Sequence, residues 1–398
     1  MQDNRGSPPS LSRREFLSSS GALTLCGTLG LSAAVQAADP SAPPAAPAAG
    51  QPYSPQPRNV NPRWYGFNLL DYLTSDPGWR KSYPYESTGE FAERDFRWIR
   101  DWGFNFVRVP TDYRFWTDPN DLFKIDEAHI APIDRAVWLA QKYGLHMNFC
   151  LHRAPGFCAF DLAPNPPTTV REPSSFYDDV RLRDAFVFQW DFFAGRYRGI
   201  PSNDLSFNLV NEPARLPKDF DYTRLALMSA AETVAYIGRD ASDYVSIAKA
   251  AIDTIRGRDP QRLIVADGFP AGGIPIDAFR EIPYVVQSHH SYSWANKDQP
   301  IDRFIESEFS PWREAAKHGV PMHMGECAFS GGSHATAMQW YTKLLDATSE
   351  INMGFALGHF RGPMGVLDSR RNDVRYENWY GRQLDRELLD LLRRNIRG

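Results

Sequence analysis

Cysteine is scarce in this chain: four residues in 398, at positions 26, 150, 158 and 327. No disulfide framework is implied, because stapled scaffolds are cysteine-dense and evenly paired. Positive charge is not in excess either, with 44 Lys and Arg against 48 Asp and Glu and a formal net charge of −4. Without a basic field to gather phosphates, nucleic acid is not an expected partner. After the first forty residues no segment holds the ~18 uninterrupted apolar residues of a membrane-crossing helix, so stable membrane insertion of the mature chain is not expected. A Gly-rich phosphate loop after an early strand is also missing, which counts against a doubly wound nucleotide-binding sheet. What abounds is aromatic: 11 Trp, 17 Tyr and 25 Phe, rings that fill a tight core and also stack on apolar ligand faces. Core packing is the default reading.

The first forty residues read as an address. Ser12-Arg13-Arg14-Glu15-Phe16-Leu17 precedes a small and apolar run over 18–35, then Val35-Gln36-Ala37, a small-residue cleavage site. Adjacent arginines ahead of a mildly hydrophobic stretch resemble a twin-arginine export signal, which carries folded proteins across the bacterial inner membrane. An ordinary secretory signal and an uncleaved anchor are the plainer alternatives. Residues 1–37 are expected to be the signal, with a periplasmic or extracellular mature chain. Cys26 follows the bulky Leu25, which speaks against a lipoprotein site. Residues 38–59, mostly Pro, Ala, Ser and Gln, cannot bury apolar area and are expected to act as a linker. Cleavage leaves Cys150, Cys158 and Cys327. Cys150 and Cys158 could pair in an oxidising compartment, but buried free thiols are expected for all three.

From residue 60 to 398 short β-type runs alternate with helical patterns. The runs lie at 65–69, 104–109, 145–151, 205–210, 263–266, 284–288, 321–324 and 354–357. Between them come amphipathic segments such as 90–102, where Phe91, Phe96, Trp98, Ile99 and Trp102 recur near helical spacing. Others are 133–143, 181–197, 242–255 and 304–318. Eight strands alternating with helices over about 340 residues predict an α/β fold of the (β/α)8 TIM-barrel type, here with loop insertions. An open doubly wound sheet is the competitor.

The candidate strand ends carry polar and reactive groups: Arg108 on the second, His152 and Arg153 on the third, Asn211 and Glu212 on the fourth, His290 and Tyr292 on the sixth, Glu326 on the seventh. Glu212 follows an apolar strand in Phe207-Asn208-Leu209-Val210-Asn211-Glu212-Pro213, where low polarity raises a carboxyl pKa as a general acid requires. Pro213 is expected to keep Glu212 extended. The plain alternative is a rim glutamate solvated at a loop entry. A second apolar strand, Val320-Pro321-Met322-His323-Met324-Gly325-Glu326-Cys327, also ends in Glu, three strands further round. In a barrel of eight the two carboxylates oppose each other across the mouth. At ~5 Å such a pair performs retaining glycoside hydrolysis, and a wider gap implies inversion. His290 and Tyr292 are two apart and share a face, while His289 points away. A metal at His289 and His290 is not expected, since adjacent strand histidines diverge and no carboxylate sits at ligand spacing. His152 could equally be a core histidine with a bonded imidazole, whereas His290 reads first as a substrate or hydrogen-bonding residue, with a satisfied core histidine as the lesser alternative. His323, an odd number of positions from Glu326, reads as structural, and Cys327 as inert packing with no histidine base adjoining it.

These residues resemble glycoside hydrolase family 5, the cellulase-type (β/α)8 barrels, over nearly all of 60–398. The resemblance is strongest at 95–113, at His152-Arg153-Ala154-Pro155-Gly156-Phe157, at 205–213, and over 360–386 with Gly365-Val366-Leu367-Asp368-Ser369. It implies Glu212 as acid/base, Glu326 as nucleophile, and Arg108, His152, Asn211, His290 and Tyr292 as substrate-positioning residues. Arg108 can then hold Glu326 ionised, and Asn211 can bond a sugar 2-hydroxyl. The implied reaction is retaining hydrolysis of a β-glycan, foremost as an endo-β-1,4-glucanase, without metal or cofactor and as a monomer. A β-glycosidase or transglycosylase on a mannan, β-1,3-glucan or glycolipid is the alternative, and a glycan-binding barrel with residual activity a third. One departure stands out. Gly358 falls where family members carry a tryptophan platform, so a wider pocket is expected there unless His359, Phe360 or Trp294 fills it.

Overall fold

The structure, a computed structural model, describes residues 61–76, 88–159, 172, 174–215, 235, 238, 240–293, 300–329 and 332–396. The expected signal and linker over 1–59, Cys26 and Trp294 lie outside the described residues. Eight parallel strands form the centre: β1 Tyr65–Asn68, β2 Phe106–Asp112, β3 His146–Ala154, β4 Leu205–Asn208, β5 Leu263–Asp267, β6 Val285–Tyr292, β7 Met322–Ala328 and β8 Gly354–Leu357. They pair in the order β2-β1-β8-β7-β6-β5-β4-β3, and β2 pairs with β3, which closes the ring. All eight runs read from the sequence coincide with these strands. Strands β2, β3, β6 and β7 run on past the expected ends, because residues such as Asp112, Arg153, Tyr292 and Ala328 still pair with the neighbouring strand.

Helices α1 Glu93–Asp101, α2 Ala131–Lys142, α3 Val180–Arg196, α4 Ser242–Arg258, α5 Ile301–Lys317, α6 His334–Glu350 and α7 Arg386–Arg394 belong to the same barrel. In α1 the buried stripe is Phe96, Trp98 and Ile99, with Glu93 and Asp95 in the first turn and Arg100 in the last, complementing the helix dipole. Asp179 and Ser333 cap α3 and α6 by accepting backbone N–H groups of Arg181 and Thr336. Most of the aromatic wealth is core, as expected: Trp116, Trp190, Trp312 and Trp340 are fully buried. Cys150 and Cys327 carry free thiols and all three described cysteines are buried, so Cys150 does not pair with Cys158.

The barrel interior is layered. At its N-terminal end Trp64 stacks on His146 with ring centroids 4.2 Å apart, and Phe106 lies 4.8 Å from His323. Val265, Val286 and Ala356 complete this apolar floor. Above it Asn68, Arg108 and Asn208, all buried, form a polar layer that leads to the C-terminal mouth. His323 is structural, but the parity argument for it fails. Strand β7 bulges between Met324 and Glu326, so His323 and Glu326 both face inward although three positions apart. Gly325 permits the bulge, since a Cβ there would overlap Ser288 Oγ and lie 3.1 Å from His290 Nε2.

Candidate active site

Glu326 is 5% exposed and held from two sides. Arg108 donates through Nη1 to its Oε1, and the Tyr292 hydroxyl donates to its Oε2. Burial alone would raise this carboxyl, but the charges of His290 and Arg108 with the Tyr292 bond bring it down to about 2. Glu326 is therefore an anion across the ordinary pH range. Arg108 is itself locked: Nη1 also donates to Asn68 Oδ1 at 2.9 Å, Nε to Asn208 Oδ1 at 3.0 Å and Nη2 to Asn211 Oδ1 at 2.6 Å. Its position is inside β2 and not at the strand's end.

Glu212 has the opposite environment. Burial raises its carboxyl pKa and the nearby Glu326 charge raises it further, against a lowering hydrogen bond from His290. His290 Nδ1 lies 2.9 Å from Glu212 Oε1, and His290 is pushed up to about 9 because Asp267, Glu326 and Glu212 outweigh its burial. One oxygen of each carboxylate and a His290 ring nitrogen all lie within 4.8 Å of one another. These three donors could in principle share a cation. Each is already committed: Glu212 to His290, and Glu326 to Arg108 and Tyr292.

The expectation that Pro213 keeps Glu212 extended is overturned. Glu212 has φ of 49°, in the left-handed region, at a cost of about 1–3 kcal/mol. Its N–H donates to Asp267 Oδ2 at 2.9 Å, and Asn211 N–H donates to Leu151 O at 3.1 Å. Those tertiary bonds outweigh the local preference of a residue before proline.

The remaining site residues converge on the same place. His152, at the end of β3, interacts with Glu326 and is kept neutral by burial, its pKa down to about 3. Asn211 is fully buried and its Nδ2 finds no hydrogen-bond acceptor among the described residues. His289 points away as expected, bonding Gly272 O through Nδ1 at 3.0 Å and packing on Trp312. Sequence reasoning missed Asn68, Asn208 and Asp267. Asp267 had a signal, a carboxylate closing the apolar strand β5, and Asn68 and Asn208 likewise end β1 and β4, inside runs that read on as apolar to Leu69 and Val210. A depression of about 370 Å³ outside the barrel, lined by Asp134, Trp138, Arg196 and others, shares no residue with this cluster.

Residues 60–357 match the family described as Cellulase (glycosyl hydrolase family 5). Among curated proteins, Cellodextrinase A of Ruminococcus flavefaciens is 35% identical over 139 residues, 34% of this chain and 38% of that protein. Endoglucanase C of Acetivibrio thermocellus is 29% identical over the same length and shares. The chain thus spans under half the length of these curated relatives. A crystal structure described as a glycoside hydrolase superposes with a TM-score of 0.69 at 30% identity, covering 83% of this chain and 99% of that one. Thermotoga maritima Cel5A in complex with mannotriose gives 0.59 at 17% identity over 83% and 97%, a likeness of fold. With three quarters of its length inside the family match, the chain belongs to glycosyl hydrolase family 5, the cellulases.

Proposed function

We propose that this protein is a retaining endo-β-1,4-glucanase of the cellulase type, with Glu326 as nucleophile and Glu212 as acid/base. The observation that carries the mechanism is the pair of carboxylates whose oxygens approach within 4.8 Å while their surroundings push the two pKa values apart. A separation of ~5 Å leaves no room for a water between nucleophile and sugar and suits a covalent intermediate. Glu326 attacks the anomeric carbon as the C1–O bond breaks, and the departing oxygen takes the proton of Glu212. Once Glu326 is esterified its charge is gone, so the part of the Glu212 rise that came from that charge is lost and Glu212 becomes a better base. It then removes a proton from water, whose oxygen attacks C1 and releases Glu326. Asn211 Nδ2 supplies a donor at the sugar, and Arg108 with Tyr292 receives the carboxylate back. The glucan assignment leans on the names of the relatives, a cellodextrinase and an endoglucanase. On the Ser12-Arg13-Arg14 leader we further propose export, and action on an oligo- or polysaccharide outside the cytoplasm. Among the described residues no helix is long and apolar enough to cross a membrane.

Glu326→Gln and Glu212→Gln test the assignment directly. Each is expected to cut turnover on β-1,4-glucan oligomers by about 10² or more with the fold intact. A dinitrophenyl cellobioside, which needs little protonation, should restore glycosylation in the Glu212 variant alone. Product NMR should show retained anomeric configuration. Inverted product, or either variant within a few-fold of the parent, would overturn the mechanism, and preference for mannan or xylan oligomers would overturn the substrate.

A further inference from the structure

Asp267 ends β5 with a fully buried side chain, and four groups from three other strands or their ends meet at its carboxylate. Oδ1 accepts from Asn208 Nδ2 at 2.9 Å, and Oδ2 accepts the backbone N–H of Glu212 at 2.9 Å. The same Oδ2 lies 3.3 Å from His290 Nε2 and 3.8 Å from Arg108 Nη2. No other described side chain takes the Glu212 N–H.

We infer that Asp267 is the positioning residue of the acid/base, pinning Glu212 in its left-handed conformation and holding His290 with Nδ1 turned to the Glu212 carboxyl. The inference rests on the reading of Glu212 as acid/base. Two jobs fall to one group. A left-handed glutamate is strained and persists only where surrounding structure fixes it, and the bond to Asp267 fixes it at the backbone atom. His290 bridges the two carboxylates, Nδ1 toward Glu212 and Nε2 toward Asp267, so the charge on Asp267 decides which edge of the imidazole faces the proton donor.

Charge balance makes the same point. Around the cluster, burial keeps the Cys150 thiol, the Tyr292 phenol and the His152 and His359 imidazoles neutral near pH 7. What remains is Arg108 and His290 against Glu326 and Asp267, two cations and two anions, with the acidic proton left on Glu212. Removing the Asp267 charge leaves one cation uncompensated, and the cluster then gives up its proton at lower pH whichever group releases it. A side chain that merely filled space would not move that proton.

The test uses the full chain carrying Asp267→Asn or Asp267→Ala, with Glu212→Gln in parallel. For Asp267→Asn, kcat/KM on a phenyl cellobioside is expected to fall by about 10² with KM within a few-fold, and on the dinitrophenyl cellobioside by far less. The basic limb of its pH profile should move to lower pH. Asp267→Ala, which also loses the acceptor for the Glu212 N–H, should be worse on the phenyl substrate. Equal losses on both leaving groups, or an unmoved profile, would overturn the inference. If Glu212→Gln shows the leaving-group pattern and Asp267→Asn does not, only the positioning role falls; if neither does, the acid/base reading falls with it. Should the Asp267 variants fail to fold, ¹⁵N spectra of histidine-labelled parent decide: His290 is expected to be doubly protonated at pH 7.5, and a neutral ring would refute the arrangement.

Discussion

Gly358 shows how one residue's surroundings bear on a reading made from its identity. A tryptophan-sized vacancy is the expectation from sequence, yet a Cβ on Gly358 would lie 3.1 Å from Tyr292 Oη, 3.3 Å from Cys327 O and 3.4 Å from Ala328 Cβ. Its N–H donates to Cys327 O at 2.8 Å, which draws the backbone against β7. Of the residues considered as fillers, Phe360 turns into the core, 5.3 Å from Phe67 and 5.8 Å from Trp102. His359 is buried with an electrostatic link to Glu326. Gly358→Trp is therefore expected to displace the Tyr292 hydroxyl from Glu326 before the indole reaches any sugar. Activity should drop on plain and branched β-glucan oligosaccharides alike. The acid limb of the profile should rise, because a bond that lowers the Glu326 pKa is lost. Improved hydrolysis of the plain oligomers would show instead that Tyr292 yields and the space is open.

Among the elements, legibility followed how far local pattern governs structure. The strand run at 263–266 stands out because both faces are buried, one on the barrel interior and one on the helices, which makes it continuously apolar, while 205–210 keeps Leu205, Phe207, Leu209 and Val210 around the buried Ser206 and Asn208. Glu212 and Glu326 stand out because each interrupts such a run. The bulge in β7 left no such mark, and counting residues from His323 to Glu326 gave the wrong face; only the pairing of Glu326 with His290 reveals the extra residue. Likewise the φ of Glu212 is set by Asp267, 55 positions away, and no neighbour in sequence announces it. The bulge yields a prediction of its own. Gly325→Ala would press a methyl group onto Ser288 Oγ, and overpacking of this kind costs about 1–3 kcal/mol. Urea unfolding should show that loss, with kcat falling more than KM as Glu326 shifts. Adding Ser288→Ala removes the clashing oxygen and should recover part of the stability, a coupling that independent sites would not show. A Gly325→Ala protein as stable as the parent would mean the bulge relaxes freely.

For the molecule as a whole, buried titratable groups fix the pH at which the fold is most stable. Burial lowers His146, His289 and His359 to about 4 and His152 to about 3, and His323 well below the ordinary value. Each of these five binds a proton in the unfolded chain near 6.5 but not in the folded one, so stability present above about pH 6.5 is lost as pH falls toward 4. Asp71 and Glu308 work the other way. Burial raises them to about 6 and about 7, so they favour the folded state in acid and lose that contribution as pH rises through those values. Burial raises Asp95, Glu172 and Glu212 as well, and these carboxyls offset part of what the histidines lose on the acid side. On the alkaline side His290 dominates: held near 9 by its carboxylates, it contributes stability that is complete below about 6.5 and gone above 9. The melting temperature measured by calorimetry is therefore expected to peak between about pH 6.5 and 7.5 and to fall toward pH 4.5 and toward pH 9. His146 bonds Asn203 O and Ser206 Oγ beneath Trp64, far from the mouth. His146→Gln should flatten the acid slope by close to one proton while leaving the alkaline slope alone. An acid slope left unchanged by His146→Gln would mean that this imidazole is not neutral in the fold.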